Sequence, residues 1–205
     1  MGFPESDRKF NAAVATALAV AYVALASGDR VMIRVLGGTG SARAPVFVYG
    51  RHRIVELARY LANIGAAGEV DFAPALAHEM LSIRRAGKVF VISDFLGLLN
   101  SVERALGLFT AASMDVSAVQ IFGATELDGQ GLHGDVEVVD AESGEHVRVS
   151  IGQRERERYR QTLTRLASEI RNYCFRSGLR YALYTTDRDF HDFFLHAATN
   201  LGLVH

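Results

Sequence analysis

Several scarcities bound what this 205-residue chain can be. It holds one cysteine, Cys174, so no internal disulfide can form, and a fold stapled by disulfides is excluded. The helical pattern around Cys174 predicts a small buried hydrophobe rather than a reactive thiol, and a reducing, cytoplasmic compartment is expected. Excess charge is lacking as well: 22 Lys and Arg against 23 Asp and Glu leave a formal net charge of -1. Nothing in that balance draws the chain to nucleic acid or to an anionic membrane, and neither partner is expected. The familiar catalytic words are missing. There is no Gly-x-Ser-x-Gly elbow, His78-Glu79 lacks a second His at the zinc-protease spacing, and His191 and His196 stand five apart, off one helix face. Ser93 has no His near it in sequence to act as its base.

What is present describes one ordinary α/β domain. A hydrophobic fraction of 49% with 22% charged residues suits a globular core, and the length suits one domain rather than two. There are no internal repeats, low-complexity tracts or linkers. One long uncharged run, Phe10 to Ala26, ends in Ala24-Leu25-Ala26 like the tail of a signal peptide. The flank before it mixes Glu5 and Asp7 with Arg8 and Lys9, so the positive region that export requires is absent. Its small side chains predict a helix buried against a sheet, without stable membrane insertion.

In chain order, Ser6 or Asp7 can cap that helix and Gly28 can end it. Val31–Leu36 reads as a strand, followed by Gly37-Gly-Thr-Gly-Ser41 and a second extended run, Pro45–Tyr49. A dinucleotide-binding loop needs a helix after such glycines, whereas Pro45 and its β-rich sequel predict a hairpin turn and an antiparallel edge strand. Helical spacing marks Arg51–Ile64, and a second helix is expected over Phe72–Arg85 with Asp71 as its N-cap. Val89–Ile92 is a short, uniformly apolar run that predicts a parallel strand buried on both faces. A helix follows over Leu98–Ala112, then a strand over Asp115–Ile121. Asp135–Val139 and His146–Ser150 alternate like a hairpin inserted at about 134–150. The helix Arg154–Phe175 opens on Arg and Glu in mixed order, which predicts a solvated, self-paired face. The strand Arg180–Thr186 and a helix from Arg188 to Leu201 complete the chain.

Asp94 falls just past the carboxyl end of the Val89 strand, where open α/β sheets bind ligands. It is the leading site candidate. The alternative is that Asp94 merely caps the helix beginning at Leu98.

The order of elements and several words within it resemble one family. Lys9-Phe10, Ser27-Gly28-Asp29-Arg30-Val31, Val91-Ile92-Ser93-Asp94-Phe95-Leu96, Glu126, Asp140-x-Glu142-Ser-Gly144 and Tyr181–Thr185 are similar to the C-terminal half of the proteins called domain of unknown function 58. Those bacterial and archaeal proteins carry a von Willebrand factor A-like domain and are often encoded beside MoxR-type AAA+ ATPases. The resemblance implies a von Willebrand A-like, mainly parallel sheet with helices on both faces, forming one domain over 1–205. It also implies a metal-ion-dependent adhesion site made of Asp-x-Ser-x-Ser after the first strand, a Thr in a later loop and an Asp after the fourth strand. Asp94 matches that last ligand. Val70, in Val70-Asp71-Phe72, stands where the Thr is expected, and the first central strand with its Asp-x-Ser-x-Ser is expected to be missing ahead of Met1. Removing a central strand leaves a gap of roughly 10 Å, so either the sheet closes up or the strand lies upstream.

These readings give a set of expectations. The domain is a non-enzymatic interaction module, a partner or adaptor of a MoxR-type ATPase, docking through Asp94, Ser93, Val70 and Asp71. Asp94 is the one metal-ligand candidate and a weak one. No cofactor is expected in this chain, and Mg²⁺ is expected only for a form that carries the first strand. The alternative function is a small α/β hydrolase or transferase using Asp94 with a distant His. An enclosed pocket joining Asp94 to a His would favour catalysis, and an open rim would favour docking.

Overall fold

Strand and helix alternate through the computed structural model of the protein, which describes residues 8–36, 46–65, 72–80, 83, 86–97, 99–128, 134–139 and 146–203. The elements are α1 (Lys9–Ala26), β1 (Arg30–Ile33), β2 (Val46–Tyr49), a 3₁₀ turn (Arg51–Arg53) entering α2 (Ile54–Ala62), and α3 (Phe72–Met80). There follow β3 (Lys88–Ser93), α4 (Leu99–Ala111), β4 (Asp115–Phe122), α5 (Ala124–Asp128), β5 (Gly134–Val139), β6 (His146–Ile151), α6 (Gln153–Arg176), β7 (Arg180–Thr185) and α7 (Phe190–Asn200). The five-residue α5 is not expected from the sequence; the other elements lie where it places them, with ends shifted by a few residues.

The centre is a parallel sheet in the order β3-β4-β7, with Ile92 opposite Val119 and Ile121 opposite Tyr184. Side chains alternate across a strand, so each strand supplies two cores. On one face Val91, Val116 and Ala118 pack against Leu106 and Phe109 of α4 and Ile170 and Cys174 of α6. On the other, Phe90, Ile92, Val119 and Ile121 meet Ala12 and Ala13 of α1 and Ala197 near the end of α7. Helices on both faces explain why seven of the eight β4 residues are buried.

The expectation that the Val89 strand is buried on both faces needs correction. In β3 only Val91 is buried, and the strand flanked on both sides is β4. The reason is pairing: among the described residues β3 has a ladder partner on one edge only. β1 and β2 form a separate antiparallel pair, Arg30 opposite Tyr49, as a hairpin reading of the intervening glycines requires; residues 37–45 themselves lie outside the described residues. No ladder joins β1 to β3 among the described residues.

α1 spans the two sheets. Its first half covers β3 and β4 through Ala12 and Ala13, and its second half packs Leu18, Ala21 and Leu25 on β1 and β2 together with Leu57 of α2. It is therefore half-buried rather than buried throughout: five of its eighteen residues are buried, because it bridges two sheets instead of sinking into one. By length and composition alone it is also apolar enough to cross a membrane. The helix begins at Lys9, with Arg8 at the N-cap position in a left-handed conformation (φ 49°); Ser6 and Asp7 lie outside the described residues. It ends as expected at Gly28, whose φ of 86° lets the Asp29 N–H reach back to the Ala24 carbonyl at 2.9 Å.

α6 divides its faces cleanly. Glu157 pairs with Arg160 at 2.8 Å on the solvent side, while Leu163, Ala167, Ile170 and Cys174 are buried beneath. The thiol of Cys174 is fully buried, and burial pushes it up to about 11. It packs as a hydrophobe, as its setting predicts.

β5 and β6 form their own antiparallel pair, Gly134 opposite Ile151, with no ladder to another strand among the described residues. Replacing residues 135–150 with a short Gly-Ser turn is expected to leave a single cooperative thermal transition within about 5 °C of the parent, since a separate hairpin adds little to the main core. Loss of cooperative melting would show that the hairpin belongs to it.

Candidate functional site

The carboxyl end of the parallel sheet gathers three charged side chains that the sequence holds far apart. β3 ends at Ser93, and the chain then turns sharply: Phe95 takes a left-handed φ of 52° and buries its ring in the main core. Such a conformation costs a non-glycine residue about 1–2 kcal/mol, offset here by burial of an aromatic side chain. The turn is held by the Phe95 N–H donating to Ser93 Oγ at 3.0 Å and the Leu96 N–H donating to Asp94 Oδ1 at 3.3 Å. α4 does not begin until Leu99, so Asp94 is not its N-cap. Asp94 lies instead just past the carboxyl end of β3, and it is buried.

β4 supplies the second support. Gln120 is fully buried, its Nε2 donating to the Asp94 carbonyl at 2.9 Å and its Oε1 accepting from the Tyr181 hydroxyl at 2.7 Å. Burial pushes the Tyr181 hydroxyl far above its ordinary range, so it stays protonated and remains a donor. The chain leaves β4 through Gly123 into α5, where Glu126 Oε2 accepts the Gly123 N–H at 2.9 Å, the glutamate half of a capping box.

Lys9, the first residue of α1, closes the group. Its ammonium donates to Glu126 Oε1 at 2.5 Å and lies 3.4 Å from Asp94 Oδ2. Only 2% of Lys9 and 7% of Glu126 is exposed, so the pair is shielded from water. Taking an ammonium out of water costs several kcal/mol, and it is held there only because two carboxylates face it. The Glu126 contact is the close hydrogen bond. The Asp94 contact is longer and chiefly Coulombic.

Beside this group lies an open cleft of about 440 Å³, walled by Arg8, Asn11 and Ala12 on one side and by Ala124, Thr125 and Thr186 on the other. The Ala124 N–H donates to Thr186 Oγ1 at 3.0 Å, tying α5 to the end of β7. Tyr184 stacks near Phe193, ring centroids 4.5 Å apart, at the floor of the α7 side. Burial, then the charges of Asp189 and Asp187, push the Tyr184 hydroxyl up.

Of the expected site residues, Ser93 ends β3 and Asp94 follows it, neither of them lining the cleft, and Val70 and Asp71 lie outside the described residues. None of the histidines with described side chains, His52, His78, His191 and His196, is bonded to Asp94; the last two are exposed on α7. His191 instead lies with Asp189 and Asp192, ligand atoms within 4.8 Å, on an exposed surface where Asp189 already caps α7. A Mg²⁺ ion needs several oxygens and gives up its water reluctantly. Here Asp94 Oδ2 faces an ammonium, and both oxygens of Glu126 already accept hydrogen bonds, so the described residues do not fit that ion while α1 is docked. Lys9, Glu126 and Gln120 are the site residues that sequence reasoning gave no role. The available signals were a lysine at the head of an apolar helix and a glutamine in an otherwise apolar strand.

The geometry can be set beside known proteins. Residues 3–169 match the family described as "Protein of unknown function DUF58". The chain is 30% identical over 141 residues to Uncharacterized protein Mb1516 of Mycobacterium bovis and to Uncharacterized protein Rv1480 of Mycobacterium tuberculosis. The match takes in 66% of this chain and 43% of each relative, so it spans less than half their length. No solved structure matches the chain.

Gln120→Ala is expected to lower stability by about 2 kcal/mol or more, because it strips the Asp94 carbonyl and the Tyr181 hydroxyl of a buried partner. Urea denaturation checks this; a loss under about 0.5 kcal/mol at unchanged slope would mean that water replaces the amide.

Proposed function

The chain belongs to the DUF58 family, and from that premise we propose that it is a non-enzymatic protein-interaction module that docks a partner at the carboxyl end of its parallel sheet. One observation carries the reading. The charged groups at this edge are consumed by one another, Lys9 with Glu126 and Asp94, while the cleft beside them is open. A general acid or base must reach a substrate proton, and Asp94 is buried against an ammonium. An open cleft with small side chains on its walls offers a surface for another chain to fill.

The von Willebrand A-like reading draws support from the parallel β3-β4-β7 order, the helices on both faces, the antiparallel β2 and the position of Asp94 past β3. The proposed partner, a MoxR-type AAA+ ATPase, comes from the family resemblance, and on this reading the domain works in the cytoplasm. Arg8, Asn11 and Thr125 form the contact rim, and Asp94 is joined to the Arg8 wall through the neighbouring Lys9.

The test is a titration of the purified chain with the MoxR-type ATPase of the same genome. Asn11→Arg and Ala124→Arg are expected to weaken binding by about tenfold or more, roughly 1.4 kcal/mol, with the melting temperature little changed. Phe175→Ala, at an exposed position on α6, is expected to bind like the parent. Undiminished binding by both cleft variants would move the interface elsewhere, and a hydrolytic or transferase activity abolished by Asp94→Asn would replace docking with catalysis.

A further inference from the structure

We infer that the Lys9 ammonium is a tethered counter-ion that joins two carboxylates on separate elements, as a bound divalent cation would, and makes this crevice independent of metal. The three groups come from different parts of the chain: Lys9 is 85 residues from Asp94 and 117 from Glu126. Lys9 heads α1, Asp94 follows β3, and Glu126 sits in α5. The Lys9 ammonium sits between the two carboxylates and contacts both.

The remaining oxygens of the two carboxylates also have donors. Glu126 Oε2 takes the Gly123 N–H, and Asp94 Oδ1 takes the Leu96 N–H. A divalent ion entering this site would have to displace an ammonium and disturb backbone hydrogen bonds. The ammonium has nowhere to go. Its own helix is anchored by Ala12 and Ala13 in the core, so its local concentration is fixed by the fold and does not fall on dilution.

The link also bears on the cleft. Arg8 and Asn11 flank Lys9 on one wall, and Ala124 and Thr125 precede Glu126 on the other. The ion pair therefore ties the two walls together at their base. A cleft held by a free ion would open when chelator removed it, whereas this one keeps its width in any metal concentration.

Two buried carboxylates facing an empty position attract a divalent cation, so Lys9→Met is expected to create a binding capacity that the parent lacks. The probe is Mn²⁺ alone, titrated into the full chain and followed by electron paramagnetic resonance and by thermal melting. For the parent and for Lys9→Arg, which keeps the positive charge, no saturable binding is expected below about 1 mM, the weak end of protein sites for hard cations. Lys9→Met should bind at least about tenfold more tightly than the parent and melt higher with Mn²⁺, and Lys9→Met with Glu126→Gln should lose both effects. If Lys9→Met does not fold in metal-free buffer, Mn²⁺ should restore its circular dichroism. Failure to restore it at about 10 mM Mn²⁺ would count against the inference. Micromolar binding by the parent that disappears in Glu126→Gln would overturn it, as would equal affinity in the parent and Lys9→Met.

Discussion

A buried ammonium is the constraint on which the rest of this edge depends. Lys9 cannot be taken out of water without a counter-charge, and the chain meets that demand twice, from the turn after β3 and from α5. Each carboxylate is positioned in turn. Asp94 is set by the Ser93 and Phe95 turn and by Gln120 behind it, and Glu126 is set by the N-terminal hydrogen bond of its own short helix. The strained backbone at Phe95 and the buried amide of Gln120 thus belong to one arrangement, whose effect is to fix where α1 starts relative to β3 and α5.

That fixing matters because α1 spans two sheets that no ladder joins among the described residues. Its second half is held by apolar contacts with β1, β2 and α2, which are non-directional and specify its register poorly. The ion group at its first residue is directional. It sets the helix against the three-stranded sheet, and the cleft between α1, α5 and β7 follows from that position. The group that shapes the cleft pairs its members with one another, and the proposed docking role rests on that pairing.

The alternation of strand and helix was legible because local patterns report it: the four-residue apolar run Val89–Ile92 marked β3, and the Gly28 stop marked the end of α1. The place of Asp94 just past the end of β3 was legible because position relative to a strand end is local information. Its partners were not. Lys9 and Glu126 meet across 117 residues, and a single sequence carries no sign of which carboxylate an ammonium will find. The five-residue α5 is too short to show a helical period. The half-burial of β3 and α1 also escaped, because an apolar run looks the same whether its neighbour is present on one edge or on both. Cys174 and the self-paired face of α6 were read correctly, since both follow from helical spacing alone.

The most direct measurement of the central claim is a double-mutant cycle on Lys9 and Glu126. Unfolding free energies of the parent, Lys9→Met, Glu126→Gln and the double variant, by urea denaturation, isolate the coupling between the two groups. A shielded, hydrogen-bonded ion pair at 2.5 Å that organises the crevice should show a coupling of about 2 kcal/mol or more, with Lys9→Met alone losing about 3–5 kcal/mol. If the single losses add to within about 0.5 kcal/mol, the two side chains act independently and the ion pair is not what holds this edge together.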